Sequence, residues 1–184
     1  SQGPIVKTRS GIFKTTSLIL ATNAYSYLLD NSFKDKIIPT RGQILATAPV
    51  PHFMESPCYA NFVLDYFRQL PTGELIIGGF RQLQKDSEIG TSDETSPIIQ
   101  NALEGFFRKY LPEFSNSPIT HRWSGIMGFS SDGLPMIGSL KTAPQIFYIG
   151  GHTAHGLGLA FHCGKQLVNM IFGRETPDFL SGKR

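Results

Sequence analysis

A chain of 184 residues with 40% hydrophobic and 17% charged content has the composition of an ordinary globular protein, long enough for one sizeable domain, which excludes disordered and fibrous classes. The formal net charge of +3 comes from Lys and Arg spread along the chain, not from a basic stripe, so no nucleic-acid partner is expected. Two cysteines, Cys58 and Cys163, lie outside any CxxC pair, no apolar run reaches the roughly 20 residues of a membrane helix, and no basic-then-apolar leader opens the chain; reduced thiols and a cytoplasmic protein are expected.

The opening "SQGPIVKTRSGIF" has no Met and begins as though inside a strand pairing, which predicts a chain that starts mid-protein. "PIVKTRSGIFKT" reads as a hairpin around Ser10-Gly11. The unalternating run Leu18 to Ala21 predicts a strand buried on both faces of a parallel sheet. Asn23 to Leu29 then reads as an amphipathic helix. Ile37 to Val50 predicts one long strand with an edge entry or bulge at its early proline and glycine. "FVLDYFRQLPTGELIIGGF" predicts a second hairpin turning at Pro71-Thr72-Gly73, and Gln84 to Ser96 an exposed polar loop.

The apolar residues Ile98, Ile99, Leu103, Phe106, Phe107 and Tyr110 have helical spacing, and Pro112 ends that helix. "ITHRWSGIMGFSSDGLPMIG" predicts a strand feeding a glycine-rich turn, and "QIFYIGG" a short buried strand. A last helix is expected from about His155 to Phe172, with Leu157, Ala160, Phe161, Gly164, Leu167, Val168 and Ile171 on its packed face and Gly173 as its stop. Strands and hairpins with three helices make an α+β pattern.

The stretch "GGHTAHGLGLAFHCGK", Gly150 to Lys165, admits three chemistries. His152, His155 and His162 have spacing that could gather nitrogens around zinc, but no carboxylate lies between them to orient the ligands, and a packed or half-exposed helix histidine accounts for His162 as well. No metal is expected. "GFSSDG" fails as a nucleophile elbow, because Asp132 stands where G-x-S-x-G needs glycine. A buried strand, a double glycine and a helix start would aim backbone N–H groups and the positive helix end at an anionic or carbonyl-rich ligand; a merely tight turn would also use those glycines.

Taken in order, "LILATNAYS", "IIPTRGQILATAP", "LDYFRQLPTGELIIGG", "RWSGIMGFSSDGLPMIG" and "FYIGGHTAHGLGLAFHCGKQLVNMIFG" resemble the C-terminal part of the FAD-dependent D-amino-acid oxidase family, on the side of its gamma-glutamylputrescine and sarcosine oxidases. The resemblance runs from about Ile12 to Gly173. It implies an α+β fold: a mixed, largely antiparallel substrate-domain sheet with helices, plus the closing strand and helix of an FAD-binding domain whose N-terminal Rossmann half is absent. Residues 1–36 would be the tail end of the FAD-binding domain, 37–130 the substrate-binding domain, and 131–184 the return to the FAD-binding domain with its C-terminal helix.

The resemblance further implies that Gly150, Gly151, His155, Gly156 and Leu157 lie near the flavin ring, with Asp132 and Pro135 in a neighbouring loop. On the substrate side it implies Arg41, Tyr66, Arg68, Arg122 and Trp123 around a small amine or amino acid; Tyr66 and Arg68 alternate on a strand that also has a solvent face, and Trp123 would serve equally as core. It names no catalytic residue. The implied reaction moves a hydride from the carbon next to an amine nitrogen to FAD, leaving an imine.

The chain departs from the family in three places. The G-x-G-x-x-G fingerprint for the FAD pyrophosphate is absent from these residues, so the half that carries it would lie upstream, and the 184 residues alone are expected to bind no FAD and to be inactive. "GIMGFS" holds no arginine where the amino-acid oxidases clamp a carboxylate, which favours an amine. "LIIGG" holds no lysine of the kind that assists oxygen in the sarcosine-oxidase-like members. The alternative is a non-catalytic binding or assembly module, or a subunit from a split oxidoreductase gene. Apolar surface at "SLILA", bereft of neighbouring strands, predicts self-association.

Overall fold

The computed structural model describes residues 3–62 and 64–182. In chain order its elements are strands β1 (Ile5–Thr8), β2 (Gly11–Lys14), β3 (Leu18–Leu20), β4 (Ile38–Thr47), β5 (Cys58–Ala60), β6 (Asp65–Gln69) and β7 (Leu75–Gly78), helix α1 (Pro97–Tyr110), strands β8 (Ile119–Phe129), β9 (Met136–Leu140) and β10 (Ala143–Gly150), and helix α2 (Gly156–Ile171). The chain divides into two compact units, residues 1–39 with 127–184, and residues 40–126. The fold is α+β, with mixed strand pairing.

In the first unit β1 and β2 form an antiparallel ribbon, and β3, β10 and β9 form a three-stranded sheet in that order. β10 runs parallel to β3 and antiparallel to β9. Because side chains alternate along a strand, the sheet carries two cores. Met136, Leu140 and Tyr148 pack with Phe33 and Ile37, where Tyr148 meets Phe33 edge to face at 4.9 Å. Ile137, with Phe147 and Ile149 beside it, packs with Cys163 and Leu167 of α2 and with Leu180.

In the second unit five strands lie in the order β5-β6-β7-β4-β8, and β4 with β7, β6 with β7 and β5 with β6 pair antiparallel. Leu45, Leu75 and Ile77 on one face meet Ile99, Leu103 and Phe107 of α1, spaced four apart as one helical stripe. Pro97 occupies the first turn of α1, where its missing N–H costs no hydrogen bond. Truncating Leu103, wholly buried, to Ala would cost about 2–5 kcal/mol.

Several expectations need correction. β3 pairs in parallel as expected, but it sits at a sheet edge with Ile19 47% exposed, so it is not buried on both faces. Asn23–Leu28 is a 3-10 helix that begins with Asn23 at φ 45°, a left-handed entry that an α-helix does not make. The polar segment after Gln84 is not wholly exposed, because Glu88 is buried. Leu157, Phe161 and Val168 of α2 are exposed while Cys163 and Leu167 are buried; α2 carries two apolar stripes, and the sheet takes the one centred on Cys163. Val63, which the pattern places in the second hairpin, lies outside the described residues.

Candidate flavin and substrate sites

β10 delivers the chain to Gly150 and Gly151, where the backbone is pressed against Asn23: a Cβ on Gly150 would stand 2.9 Å from Ile37 Cδ1 and 3.2 Å from Asn23 Cα. The N–H of Gly151, at φ 68°, donates to Asn23 Oδ1 at 3.0 Å. Thr153 and Ala154 follow at φ 48° and 65°. Left-handed backbone is costly for a β-branched residue and persists only where the surroundings enforce it. Here they do: the N–H of Thr153 donates to Gly128 O at 2.8 Å, its hydroxyl donates to Gly151 O at 3.2 Å, and the N–H of Ser130 donates to that hydroxyl at 3.2 Å.

α2 starts immediately afterwards, with His155 at its N-cap, no side-chain cap and no acidic residue in the first turn. Neither its cap nor its own first turn therefore offsets the positive helix end. Close to it, His152 Nδ1 is buried with no hydrogen-bond partner among the described residues, and burial pushes the imidazolium below its ordinary range, favouring the neutral ring. His155 and Leu157 are exposed and Gly156 is half-buried against His152. Asp132 accepts from the N–H of Leu134 at 3.0 Å and holds the turn before buried Pro135, and Ser130 donates to Leu134 O at 2.8 Å. The cofactor residues expected from sequence therefore gather in the first unit on two loops joined through Ser130 and Thr153. Strained backbone, an open helix end and an unpartnered imidazole nitrogen suit the carbonyl-rich, polarisable edge of a flavin.

The expected substrate residues all belong to the second unit but do not converge. Arg41 donates through Nε and Nη2 to both oxygens of buried Glu88, at 2.9 and 2.8 Å, and to backbone carbonyls of Ser87 and Ser92. Arg122 donates to Gln100 Oε1 at 3.0 Å and to Glu104. Arg68 is exposed. Trp123 is 40% exposed and is therefore not core. Tyr66 lies over Gly78, where a Cβ would come within 2.4 Å of its Cζ, and meets the Tyr59 ring at 6.5 Å. Burial, reinforced by Tyr59 and offset by Arg81, raises the Tyr66 phenol above its ordinary range. The three histidines of the zinc alternative do not assemble: among the described residues no group of three His, Cys, Asp or Glu side chains could hold a metal. Asn23, Thr153, Tyr59 and Arg81 carry no recognisable motif, although Asn23 is of a residue type that favours left-handed backbone.

The sequence model of the FAD dependent oxidoreductase family matches residues 1–170. The chain belongs to that family. Among its members, the chain is 28% identical over 178 residues to the probable oxidoreductase OrdL of Rhizobium meliloti (strain 1021), covering 94% of this chain and 39% of the relative. It superposes on the crystal structure of glycine oxidase from Geobacillus kaustophilus with a TM-score of 0.77 at 22% identity, covering 96% of this chain and 46% of that one. On L-proline dehydrogenase from P. horikoshii the TM-score is 0.73 at 24% identity, with 95% and 48% covered. At such identities the structures show the shared fold alone. The chain spans roughly two fifths to one half of the length of these proteins. No helix of the described residues is long and apolar enough to cross a membrane.

Proposed function

We propose that the chain is the C-terminal part of an FAD-dependent amine oxidoreductase, in which residues 1–36 and 131–184 complete the FAD-binding domain and residues 37–130 bind the substrate. The observation that carries this reading is the Gly150–Leu157 segment, whose left-handed residues at 153 and 154 are locked directly before an uncapped helix. A bound flavin would supply the acceptor for a hydride leaving the carbon next to an amine nitrogen, so that the substrate becomes an imine. Gly151, Gly156 and the flanking His155 and Leu157 let the ring's polar edge approach the helix start, where backbone N–H groups stabilise negative charge. Asp132 and Pro135 fix the neighbouring loop.

In the second unit Tyr66 is the substrate residue with the strongest support. Its phenol stays protonated through neutral pH and can donate to a substrate heteroatom or to water held beside one. Arg41 and Arg122, saturated by Glu88, Gln100 and Glu104, shape the scaffold in this proposal instead of clamping a carboxylate, in keeping with an amine substrate.

The test is native mass spectrometry of the protein expressed from the complete natural gene, followed by anaerobic addition of amines. One FAD per chain and loss of the flavin's visible absorbance with an amine is expected; a chain without flavin overturns the proposal. The 184 residues alone, which lack the G-x-G-x-x-G turn, should show no stoichiometric FAD binding.

A further inference from the structure

A cleft of about 540 Å³ in the second unit contains none of the residues assigned to the flavin and does not include Tyr66. Its floor is Ala46 and Ile76, directly paired on β4 and β7, on the face opposite α1. The methyl of Ala46 there leaves depth that a Leu or Phe would fill. Pro49, Leu70 and the indole of Trp123 form the walls. The volume is that of a small-molecule site, typically about 300–1,000 Å³.

Charge decides what fits. Arg122 borders the cleft, but its guanidinium is engaged by Glu104, a carboxylate it shares with Arg108, and Gln100 takes a further N–H at 3.0 Å. The His121 ring is engaged with Thr120 Oγ1 at 3.0 Å. Glu74 has only a hydroxyl donor: Thr72 donates to its Oε2, and among the described residues no lysine or arginine pairs with it. That hydrogen bond, with one from backbone, holds the carboxyl below its ordinary range, so it is ionised at neutral pH. An apolar trough with an indole wall and one uncompensated carboxylate is complementary to a cation with an apolar body, which gains from the carboxylate, the indole face and desolvation of its tail.

We propose that this cleft binds an alkylammonium ion, its apolar chain on Ala46, Ile76 and Leu70, its nitrogen between Glu74 and the Trp123 indole. The site stands whether or not the flavin assignment does, since neither FAD nor turnover enters its test.

Trp123 is the single tryptophan of the chain, so its emission reports on the cleft directly. The chain is titrated with hexylammonium chloride against matched sodium chloride, with 1-hexanol and sodium hexanoate in parallel, by fluorescence and by calorimetry. Saturable hexylammonium binding is expected, at least about tenfold tighter than either comparison compound, which is the loss of roughly one charge-assisted contact. Glu74→Gln should weaken hexylammonium by a similar factor and leave hexanol unchanged; Ala46→Leu should abolish both, with unaltered circular dichroism. Equal affinity for hexanol, preference for hexanoate, indifference to Glu74→Gln, or no signal by either method overturns the proposal.

Discussion

The side-chain carbonyl of Asn23 accepts the N–H of Gly151 at 3.0 Å across 128 positions of sequence. This bond fastens the exit of β3 to the exit of β10, the two parallel neighbours of the first unit's sheet. It sits where Gly128 also closes in, since a Cβ on Gly128 would stand 2.4 Å from the same Oδ1. A single amide thus sets the spacing of three chain segments just before the α2 start.

Asn23→Ala removes that acceptor and leaves Ala at φ 45°. The left-handed backbone costs about 1–2 kcal/mol and the orphaned Gly151 N–H about 1–3 kcal/mol, so a loss of about 2–5 kcal/mol is expected in urea unfolding. Asn23→Asp, which keeps the acceptor, should lose less. Gly128→Ala should be destabilising alone and less so in the Asn23→Ala background, because the nearest group it strikes is gone while Ile37 Cγ2 at 2.9 Å remains. Additive losses would show that the two do not meet.

Glu88 gives a pH-dependent test. Burial favours its neutral form, but hydrogen bonds from Arg41 and Gln43 and the Arg41 charge outweigh that and lower its pKa. A carboxylate depressed in the folded state adds stability that is present above its unfolded value, about 4.3, and is lost as pH falls through the folded value. Glu88→Ala should cost about 3–5 kcal/mol at pH 7 by leaving Arg41 without its partner. The difference from wild type should shrink as pH drops below about 4; parallel stability curves would remove Glu88 from this role.

Sequence periodicity located β4, the hairpin β6-β7 and α1 because each buries one clear stripe against one neighbour. It failed where tertiary context chooses between equivalents. α2 is apolar on two sides, and only the position of Ile137 and Ile149 determines that Cys163 and Leu167 turn inward. β9 was hidden inside a glycine-rich stretch that reads as a turn. At the candidate sites the glycines were legible, since a double glycine before a helix is a local signal. The partners that saturate Arg41 and Arg122 were not, because Glu88 and Gln100 lie 47 and 22 residues away and no local pattern links them.

The stripe that α2 leaves outside bears on association. Phe161 is 88% exposed, and Leu157, Val168 and Phe172 on the same side are exposed as well. With Ile19 exposed on the β3 edge as well, the first unit carries apolar surface of the kind that drives association. The chain alone is expected to self-associate with rising concentration in sedimentation experiments, and Phe161→Glu with Val168→Glu should shift it toward monomer without loss of helix content. A wild-type monomer at high concentration would contradict this.

Tyr66 tests the substrate assignment in the flavin-loaded protein from the complete gene. Tyr66→Phe removes the hydroxyl while keeping the ring over Gly78 and against Tyr59, so folding and FAD content should hold. If the phenol donates to the substrate or to its water, kcat/KM for the amine should fall about tenfold, or about 1.4 kcal/mol. Gly78→Ala should give a comparable loss by another route, since its Cβ would meet the phenol ring at 2.4 Å and displace it. The pH profile separates donor from spacer. Burial raises the Tyr66 pKa above its ordinary value, about 10 for a free phenol, so the ratio of wild-type to Tyr66→Phe activity should stay flat from pH 7 to about pH 9. A ratio that collapses within that range, or a Tyr66→Phe protein of unchanged kcat/KM, would mean that the phenol only packs the sheet.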